Sequence, residues 1–136
     1  IPDRITDDCI EWLTSSRLLT SLVIHSTHPK ELDVSVAAAL NRLSQAGVIL
    51  LNQTVLLAGI NDSIEVLQEL SERLFQMKVL PYYLHQLDKV KGAAHFEVND
   101  ATAKALILKL TSRLPGYLVP KLVREIPGMP SKAPLL

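Results

Sequence analysis

The feature of this sequence that most constrains its fold is a repeated alternation of short apolar runs with longer segments whose apolar residues recur at helical spacing. Strand-like runs occur at 18–24, 48–56, 80–85 and 117–123, and an amphipathic helical pattern follows each of the first three. The repeat is roughly thirty residues, the size of a strand–helix–strand unit. Strands and helices that alternate in this way form a parallel sheet with right-handed crossovers. The sequence therefore predicts an α/β fold of about four parallel strands.

Capping residues predict where the helices begin and end. Asp33 is the expected N-cap of the helix after the first strand, and Gly47 is placed to end that helix in a left-handed conformation. Asp62 and Glu65 form a capping box that is expected to start the next helix. The other helix signals are a short pattern at about 7–15, a cap at Asn99-Asp100, and a stripe of Ala103, Leu106, Ile107, Leu110 and Leu114.

The composition is that of a folded domain. Hydrophobic residues make up 48% of the 136 residues, and the mean hydropathy is +0.22. Most of this apolar content is aliphatic, as is typical of parallel strands that are buried on both faces. Helices are therefore expected on both sides of the sheet.

Charge and cysteine content exclude several classes of partner. Fourteen basic and fourteen acidic residues cancel, so no attraction to nucleic acid or to anionic lipid is expected. No apolar run reaches the length of a membrane span, and the single cysteine, Cys9, allows neither an internal disulfide nor a cysteine-based metal cage. A cytoplasmic location is the default expectation, with Cys9 as a small packed residue.

Unusual polar residues follow the predicted strands at the end where parallel α/β proteins bind ligands. This regularity favours a functional face and comes from the residues alone. The groups that follow the four strands in turn are His25 and His28, Gly59-Ile-Asn-Asp62, His85 through Asp88, and Arg124-Glu125 with Lys132.

Each of these candidates also has a structural interpretation. Pro29 favours extended geometry at His28 and no third ligand is near, so a metal site is not expected. A loop histidine that is bonded to a neighbouring backbone carbonyl explains His28. Asn52 and Gln53 interrupt an apolar strand, and either a structural hydrogen-bond network or a ligand could satisfy their amides.

The acidic and basic residues near the end of the chain allow the same two interpretations. Asp88 and Glu125 follow different strands and could point into one cavity, or they could be surface charges beside Lys89 and Arg124. Lys132 could be a solvated lysine of the C-terminal tail. Alternatively, the prolines and glycine around it could hold it in position for covalent chemistry.

The final stretch of the chain resembles the C-terminal end of the lysine 2,3-aminomutase family, pyridoxal phosphate enzymes of the radical S-adenosylmethionine class. The matching motifs occur in the same order as in the family and extend over most of the chain. The resemblance is strongest to the branch that makes β-lysine for elongation factor P. The motifs that carry it are His25-Ser-Thr-His-Pro29, Leu51-Asn-Gln-Thr-Val-Leu-Leu-Ala-Gly-Ile-Asn-Asp62, Pro81-Tyr-Tyr-Leu-His-Gln-Leu-Asp88, Gly92-Ala-Ala-His-Phe96 and Pro115-Gly-Tyr-Leu-Val-Pro-Lys-Leu-Val-Arg-Glu-Ile-Pro-Gly-Met-Pro-Ser-Lys132.

The resemblance implies a role for five residues. Lys132 matches the lysine that carries pyridoxal phosphate as a Schiff base, and the carboxylates that match Asp88 and Glu125 hold the distant ammonium group of L-lysine. His25 and Gln53 match residues that line the S-adenosylmethionine cavity. The implied reaction moves the α-amino group of L-lysine to the β-carbon after a 5′-deoxyadenosyl radical removes a β-hydrogen.

The resemblance also implies what the chain does not contain. The family's cysteine triplet for the [4Fe-4S] cluster and its phosphate-binding arginine and tyrosine would lie upstream, so this chain is expected to be a single C-terminal half of a radical S-adenosylmethionine-type (β/α) partial TIM barrel over 1–136, with the cluster-binding half absent. A complete barrel needs ~250 residues. The expected parts are strand–helix units at 18–47, 48–79 and 80–114, a strand at 117–123, and the tail with Lys132.

Three interpretations of function remain. In the first, the isolated chain is inactive and binds no cofactor by itself, while the full-length parent is the isomerase. In the second, the chain acts only as an inactive folded module without the cluster site, through association with another chain or with none. In either case the isolated chain is expected to be a homo-oligomer that pairs through its open barrel edges. The third, a pyridoxal phosphate enzyme without radical chemistry, fits poorly because nothing in the chain would bind the phosphate. This chain departs from the free-lysine enzymes at one place. They have a run of glycines before the matching lysine, whereas this chain has Gly128-Met-Pro-Ser131.

Overall fold

A computed structural model of the chain describes residues 2–14, 20–87, 94–124 and 133–135. The α-helices are α1 (Asp7–Thr14), α2 (Val34–Gln45), α3 (Ile64–Gln76) and α4 (Asp100–Arg113). The strands are β1 (Ser21–His25), β2 (Ile49–Leu56), β3 (Val79–Gln86), β4 (Lys121–Arg124) and β5 (Ala133–Pro134). Short 3₁₀ turns cover Pro2–Arg4, Pro29–Glu31, Ala94–Phe96 and Gly116–Leu118.

The five strands form one sheet in chain order, from β1 to β5. The first four are parallel, so the prediction of an α/β fold with four parallel strands is confirmed. The two-residue β5 was not predicted; it runs antiparallel to β4 and pairs Ala133 with Arg124. Among the described residues, β1 therefore has a free outer edge, whereas β5 covers part of the outer edge of β4.

The helices cover one face of the sheet. Helices α3 and α4 pack in one buried cluster with Leu56, Leu84 and Leu122, and α2 and α3 pack in a second cluster with Leu50 and Val79. Right-handed crossovers place successive helices on the same side of a sheet as long as the strand order does not reverse. The expectation of helices on both sides is therefore wrong for the described residues, and this arrangement is that of half a (β/α) barrel.

The alternation of side chains assigns each strand residue to a face. In β2, Leu50, Asn52, Thr54 and Leu56 are buried under the helices, whereas Leu51, Gln53 and Val55 between them remain partly accessible. A register shift between Asn52 and Gln53 adds one residue to β3, so that Leu51 pairs with Leu80 but Gln53 pairs with Tyr83. This bulge keeps the accessible face of β3 in phase with that of β2.

Most of the predicted helix boundaries are confirmed. Asp33 caps α2 by accepting a hydrogen bond from the Val36 amide at 2.9 Å, and Gly47 has φ +90°. The cap of α3 was assigned to the wrong residue: the Ser63 hydroxyl accepts from the Val66 amide at 3.3 Å.

The fourth strand is shorter than predicted and begins at Lys121 rather than at Tyr117. Residues Gly116–Leu118 form a 3₁₀ turn in which the Leu118 amide donates to the Pro115 carbonyl at 2.9 Å. Pro120 directly precedes the strand, where its missing N–H removes no hydrogen bond from the ladder. β4 is an inner strand, because it lies between β3 and β5.

No helix in the described ranges is long and apolar enough to span a membrane. The longest, α4, has 14 residues, and a bilayer-spanning helix needs ~20 predominantly apolar residues.

Candidate active site on the uncovered face of the sheet

The face of the sheet opposite the helices holds the candidate site. Its side chains come from alternate strand positions, which places them in rows across neighbouring strands. One row consists of Val23, Leu51 and Leu80; the next consists of His25, Gln53, Tyr83 and Lys121; the third consists of Val55, His85 and Val123. The face therefore has an apolar end and, towards the carboxyl ends of the strands, a row of hydrogen-bonding groups.

His25 and Gln53 are direct neighbours on this face. They are register partners in the parallel pairing of β1 with β2. His25 is exposed at the end of its strand, and Gln53 is partly buried within its own. An imidazole and an amide side by side can donate and accept hydrogen bonds together, as recognition of a nucleoside requires. The two residues predicted to line one cavity are thus brought together.

Tyr83 extends the row beside Gln53. Its ring lies 3.9 Å from that of Tyr82 and 5.9 Å from that of His85, between ring centroids. A side-chain hydrogen bond with Tyr82, with smaller contributions from burial and from the charge of Tyr82, raises the pKa of the Tyr83 phenol above its ordinary value of 10.0. The phenol of Tyr83 is therefore engaged by Tyr82 and brings a polar aromatic side chain to this face.

Asn52 has a structural role, although it is adjacent to Gln53 in the sequence. It is 1% exposed and points to the helix side of the sheet. Its Oδ1 accepts from the Ser26 amide at 2.9 Å, and its Nδ2 donates to the Ser26 carbonyl at 3.1 Å and to Thr54 Oγ1 at 2.9 Å. These bonds extend the link between β1 and β2 by one residue beyond His25. The structural-network interpretation therefore holds for Asn52.

Asn61 and Asp62 were singled out as part of a functional group, but their described contacts are structural. Asn61 is fully buried, and its amide group bonds the Leu57 amide, the Thr27 carbonyl and the Val55 carbonyl at 2.8 to 2.9 Å. Asp62 accepts from the Gly59 amide at 3.0 Å. Together they fix the loop after β2 and join it to the loop after β1.

His28 closes a turn rather than facing the candidate site. Its Nδ1 accepts from the Lys30 amide at 3.1 Å, while Glu31 accepts from the Thr27 and His28 amides at 2.9 and 3.0 Å. The imidazole is bonded to the backbone as predicted, although the partner is an amide rather than a carbonyl.

Gln86, Asp100 and Arg124 form a polar cluster at the carboxyl ends of β3 and β4. Arg124 Nη2 lies 2.6 Å from Asp100 Oδ1, and Gln86 Nε2 donates to the same oxygen at 3.0 Å and also to the Val98 carbonyl. Gln86 is 4% exposed. Gln86 Oε1 and Arg124 Nε are buried without a hydrogen-bond partner, so the cluster keeps one acceptor and one donor for a further polar group.

Asp88, Glu125 and Lys132 lie outside the described residues, so their predicted roles stay predictions. Their neighbours in the sequence are described. Gln86 ends β3 two residues before Asp88, and Arg124, which precedes Glu125, pairs with Ala133, which follows Lys132.

Sequence reasoning assigned no role to Tyr83, Asp100 or Arg124. Tyr83 belongs to the accessible face only because of the bulge in β3, and no pattern of residues in the sequence predicts that bulge. Asp100 was noted solely as a helix cap. A lone arginine at a strand end is an ordinary surface residue until its partner is known.

Metal ligands and cavities add little to the site. Within the described residues no three histidine, cysteine, aspartate or glutamate side chains come together to hold a metal ion. A groove of about 490 Å³ runs along the free edge of β1 and is lined by His25 and by apolar residues of β1 and α2.

Comparison with known proteins places the chain in a family. No family model matches it. It is 51% identical over 132 residues to L-lysine 2,3-aminomutase of Haemophilus influenzae and 50% identical over 135 residues to that of Escherichia coli, with 97% and 99% of this chain covered. The enzyme of Clostridium subterminale is 35% identical over the whole chain. The chain spans 39% and 40% of the length of the first two relatives and 32% of the length of the third. By sequence, this chain belongs to the L-lysine 2,3-aminomutase family.

Proposed function

We propose that this chain is the C-terminal part of an enzyme that converts L-lysine to β-lysine. The observation that carries the proposal is the 46–51% identity to three proteins named L-lysine 2,3-aminomutase, which extends over 97–99% of the chain. The open face of the half-barrel and the free edge of β1 fit a further part that precedes this one.

In this proposal His25 and Gln53 hold the adenosyl group of S-adenosylmethionine. Their support is geometric: the two side chains are neighbours on the one sheet face that the helices leave accessible. The apolar row of Val23, Leu51 and Leu80 beside them would exclude water from bound ligand. Tyr83 adds an aromatic ring to the same row.

Pyridoxal phosphate would be bound through Lys132 and would supply the electron sink for migration of the amino group. The S-adenosylmethionine radical and the [4Fe-4S] cluster belong to the part of the enzyme that this chain does not contain. Asp88 and Glu125 would bind the ε-ammonium of L-lysine by charge-assisted hydrogen bonds. Their support is placement, because both residues follow parallel strands at the end where such folds bind ligands.

The finer assignment is to the branch that supplies β-lysine for elongation factor P. It is supported by the replacement of a glycine run with Gly128-Met-Pro-Ser131. Met129 and Pro130 restrict the backbone before Lys132 much more than glycines would. Reconstitution of the full-length enzyme with elongation factor P and its ligase would test this assignment, with mass spectrometry to detect transfer of β-lysine. Formation of free β-lysine that is not transferred would contradict it.

The aminomutase proposal is tested by anaerobic assay of the full-length protein with L-lysine, S-adenosylmethionine and a reductant. We expect β-lysine by chromatography, weaker S-adenosylmethionine binding in His25→Ala and Gln53→Ala, and wild-type binding in Gln76→Ala, which changes an exposed amide at the end of α3. Absence of β-lysine from the wild-type protein would overturn the proposal and favour the alternative of a folded module without catalysis. The 136-residue chain alone should form no β-lysine.

A further inference from the structure

Lys121 is a cation on the accessible face of the sheet. It is the first residue of β4, and it pairs in register with Tyr83. The next residue, Leu122, packs with the helices, so the alternation of side chains along the strand places Lys121 on the opposite face. The Lys121 side chain is exposed. A groove of about 480 Å³ at this side of the sheet has Lys121, Tyr83 and Val123 in its lining, so a ligand can reach the ammonium group.

The charge of Lys121 is not compensated within the described part of the fold. The four parallel strands contain no aspartate or glutamate. Arg124, the other cation of β4, belongs to the helix side and forms an ion pair with Asp100 at 2.6 Å. Lys121 forms no ion pair with any described residue. Of the two cations in this short strand, one is therefore neutralised by the fold and the other is not.

In the full-length enzyme of the proposed function, this face of the sheet is the inside of a barrel. The side chains that point inward in such a barrel form a packed interior. A lysine is almost never buried without a partner, because removal of an isolated ammonium group from water is costly. Once the barrel is closed, the ammonium group of Lys121 therefore requires an anion beside it.

Lys121 lies in the same row of side chains as the proposed nucleoside site. Neighbouring strands are ~4.8 Å apart, so Lys121 is about 10 Å from Gln53 across two spacings and about 14 Å from His25 across three. The row thus has an imidazole and an amide at one end and a cation at the other. This arrangement fits a nucleoside that lies beside an amino acid, whose carboxylate would meet the cation.

We propose that Lys121 binds the carboxylate of an amino-acid ligand on this face. Its ammonium group forms a charge-assisted hydrogen bond with a carboxylate oxygen. The carboxylate belongs either to L-lysine or to the methionyl part of S-adenosylmethionine, and binding measurements distinguish these two sources. The inference rests on the proposed function, since it requires the rest of the barrel to enclose this face.

The test uses the full-length protein with its cofactors in three variants. Lys121→Met removes the charge and keeps the length of the side chain, Lys121→Arg keeps the charge, and Lys109→Met changes an exposed lysine of α4 as control. Calorimetry without a reductant gives the Kd of each ligand, because the ligands then bind but do not react. L-lysine is compared with 1,5-diaminopentane, and S-adenosylmethionine is compared with its decarboxylated form.

Lys121→Met should raise the Kd of one carboxylate ligand roughly tenfold, the size of one lost charge-assisted hydrogen bond. The Kd of the analogue without the carboxylate should not change. A loss confined to L-lysine identifies the substrate as the source of the carboxylate, and a loss confined to S-adenosylmethionine identifies its methionyl part. Lys121→Arg should restore most of the affinity, and Lys109→Met should bind every ligand as wild type does.

Three results would overturn the inference. The first is a wild-type Kd for both carboxylate ligands in Lys121→Met, and the second is equal weakening of a ligand and its decarboxylated analogue. The third is a loss of pyridoxal phosphate binding alone, which would assign the ammonium group to a phosphate. In each case the wild-type protein still forms β-lysine, so the proposed function survives. A wild-type protein that forms no β-lysine is the separate failure of the proposed function.

Discussion

Asn52 binds Ser26 through both atoms of its amide, while the adjacent Gln53 lies on the opposite face of the sheet beside His25. Asn52→Leu should therefore lower the free energy of unfolding by about 2 kcal/mol, because it leaves the Ser26 amide without its acceptor and removes a donor to the Ser26 carbonyl and the Thr54 hydroxyl. Urea titration of the full-length protein followed by circular dichroism measures this. Gln53→Leu is the matched control and should change stability far less. Equal losses in the two variants would contradict the assignment of faces.

Lys132→Ala should abolish the visible absorbance of bound pyridoxal phosphate in the full-length enzyme, because that lysine is the proposed covalent attachment point. Lys109→Ala changes an exposed lysine of α4 and should leave the absorbance unchanged. An unchanged spectrum in Lys132→Ala would show that the cofactor is attached elsewhere.

Asp88→Asn and Glu125→Gln should each lose lysine turnover while the enzyme still binds pyridoxal phosphate. Each substitution removes one negative charge that faces the substrate ammonium and keeps the size of the side chain. Steady-state kinetics and the cofactor spectrum separate the two effects. Glu69→Gln, an exposed carboxylate of α3, serves as control; wild-type kinetics in both test variants would mean that the pair is ordinary surface charge.

Asp33 should make the stability of α2 depend on pH. The Val36 amide, followed by the Ser35 hydroxyl, holds the pKa of this carboxylate below its ordinary value of 3.8. A lowered folded pKa contributes stability above 3.8, and that contribution is lost as the pH falls through the folded pKa. Asp33→Asn keeps the cap without the charge, so its stability below pH 3.8 should depend less on pH than that of wild type. Parallel curves for the two proteins in this range would contradict the prediction.

The isolated chain should associate with itself, because the strip of Val23, Leu51 and Leu80 on the uncovered face and the free edge of β1 remain open to solvent. Leu22, Ile24 and Leu84 do not contribute to this strip, because their side chains pack on the helix side of the sheet. Sedimentation equilibrium would measure the mass, and Val23→Glu should weaken association.

Leu108→Glu is the control for this experiment, since Leu108 is 60% exposed on α4, away from the strip. A single 15.0 kDa species at high concentration of the wild-type chain would rule association out.

The parts of the fold that the sequence predicts are those governed by local interactions. The cap at Asp33, the left-handed Gly47 and the buried stripe of α4 each depend on a few neighbouring residues, and all are confirmed. Composition could not show that helices cover only one face of the sheet. The strands would contain aliphatic residues on the other face whether or not a helix packed against it. The position of β5 depends on pairing with β4, a contact for which a two-residue strand gives no periodic signal.

The candidate site likewise contains residues whose position could be predicted from the sequence and residues whose role could not. His25 and Gln53 were expected to share a cavity because of the family resemblance, and the pairing of β1 with β2 makes them neighbours. Asn61 was grouped with functional residues because a buried structural amide and a ligand-binding amide have the same sequence context. Only its three backbone partners distinguish the two roles.

The extra residue in β3 determines which positions of the sheet can be varied together. In β1 and β2 the odd-numbered positions face the accessible side and the even-numbered positions face the helices, and β3 follows the same rule only after Tyr82. Deletion of Tyr82 would remove the bulge and leave Tyr83 opposite Gln53, so the remaining side chains of the strand would keep their faces. A combinatorial library restricted to positions 23, 25, 51, 53, 83 and 85 would therefore vary the accessible face on three strands without altering the packed layer beneath.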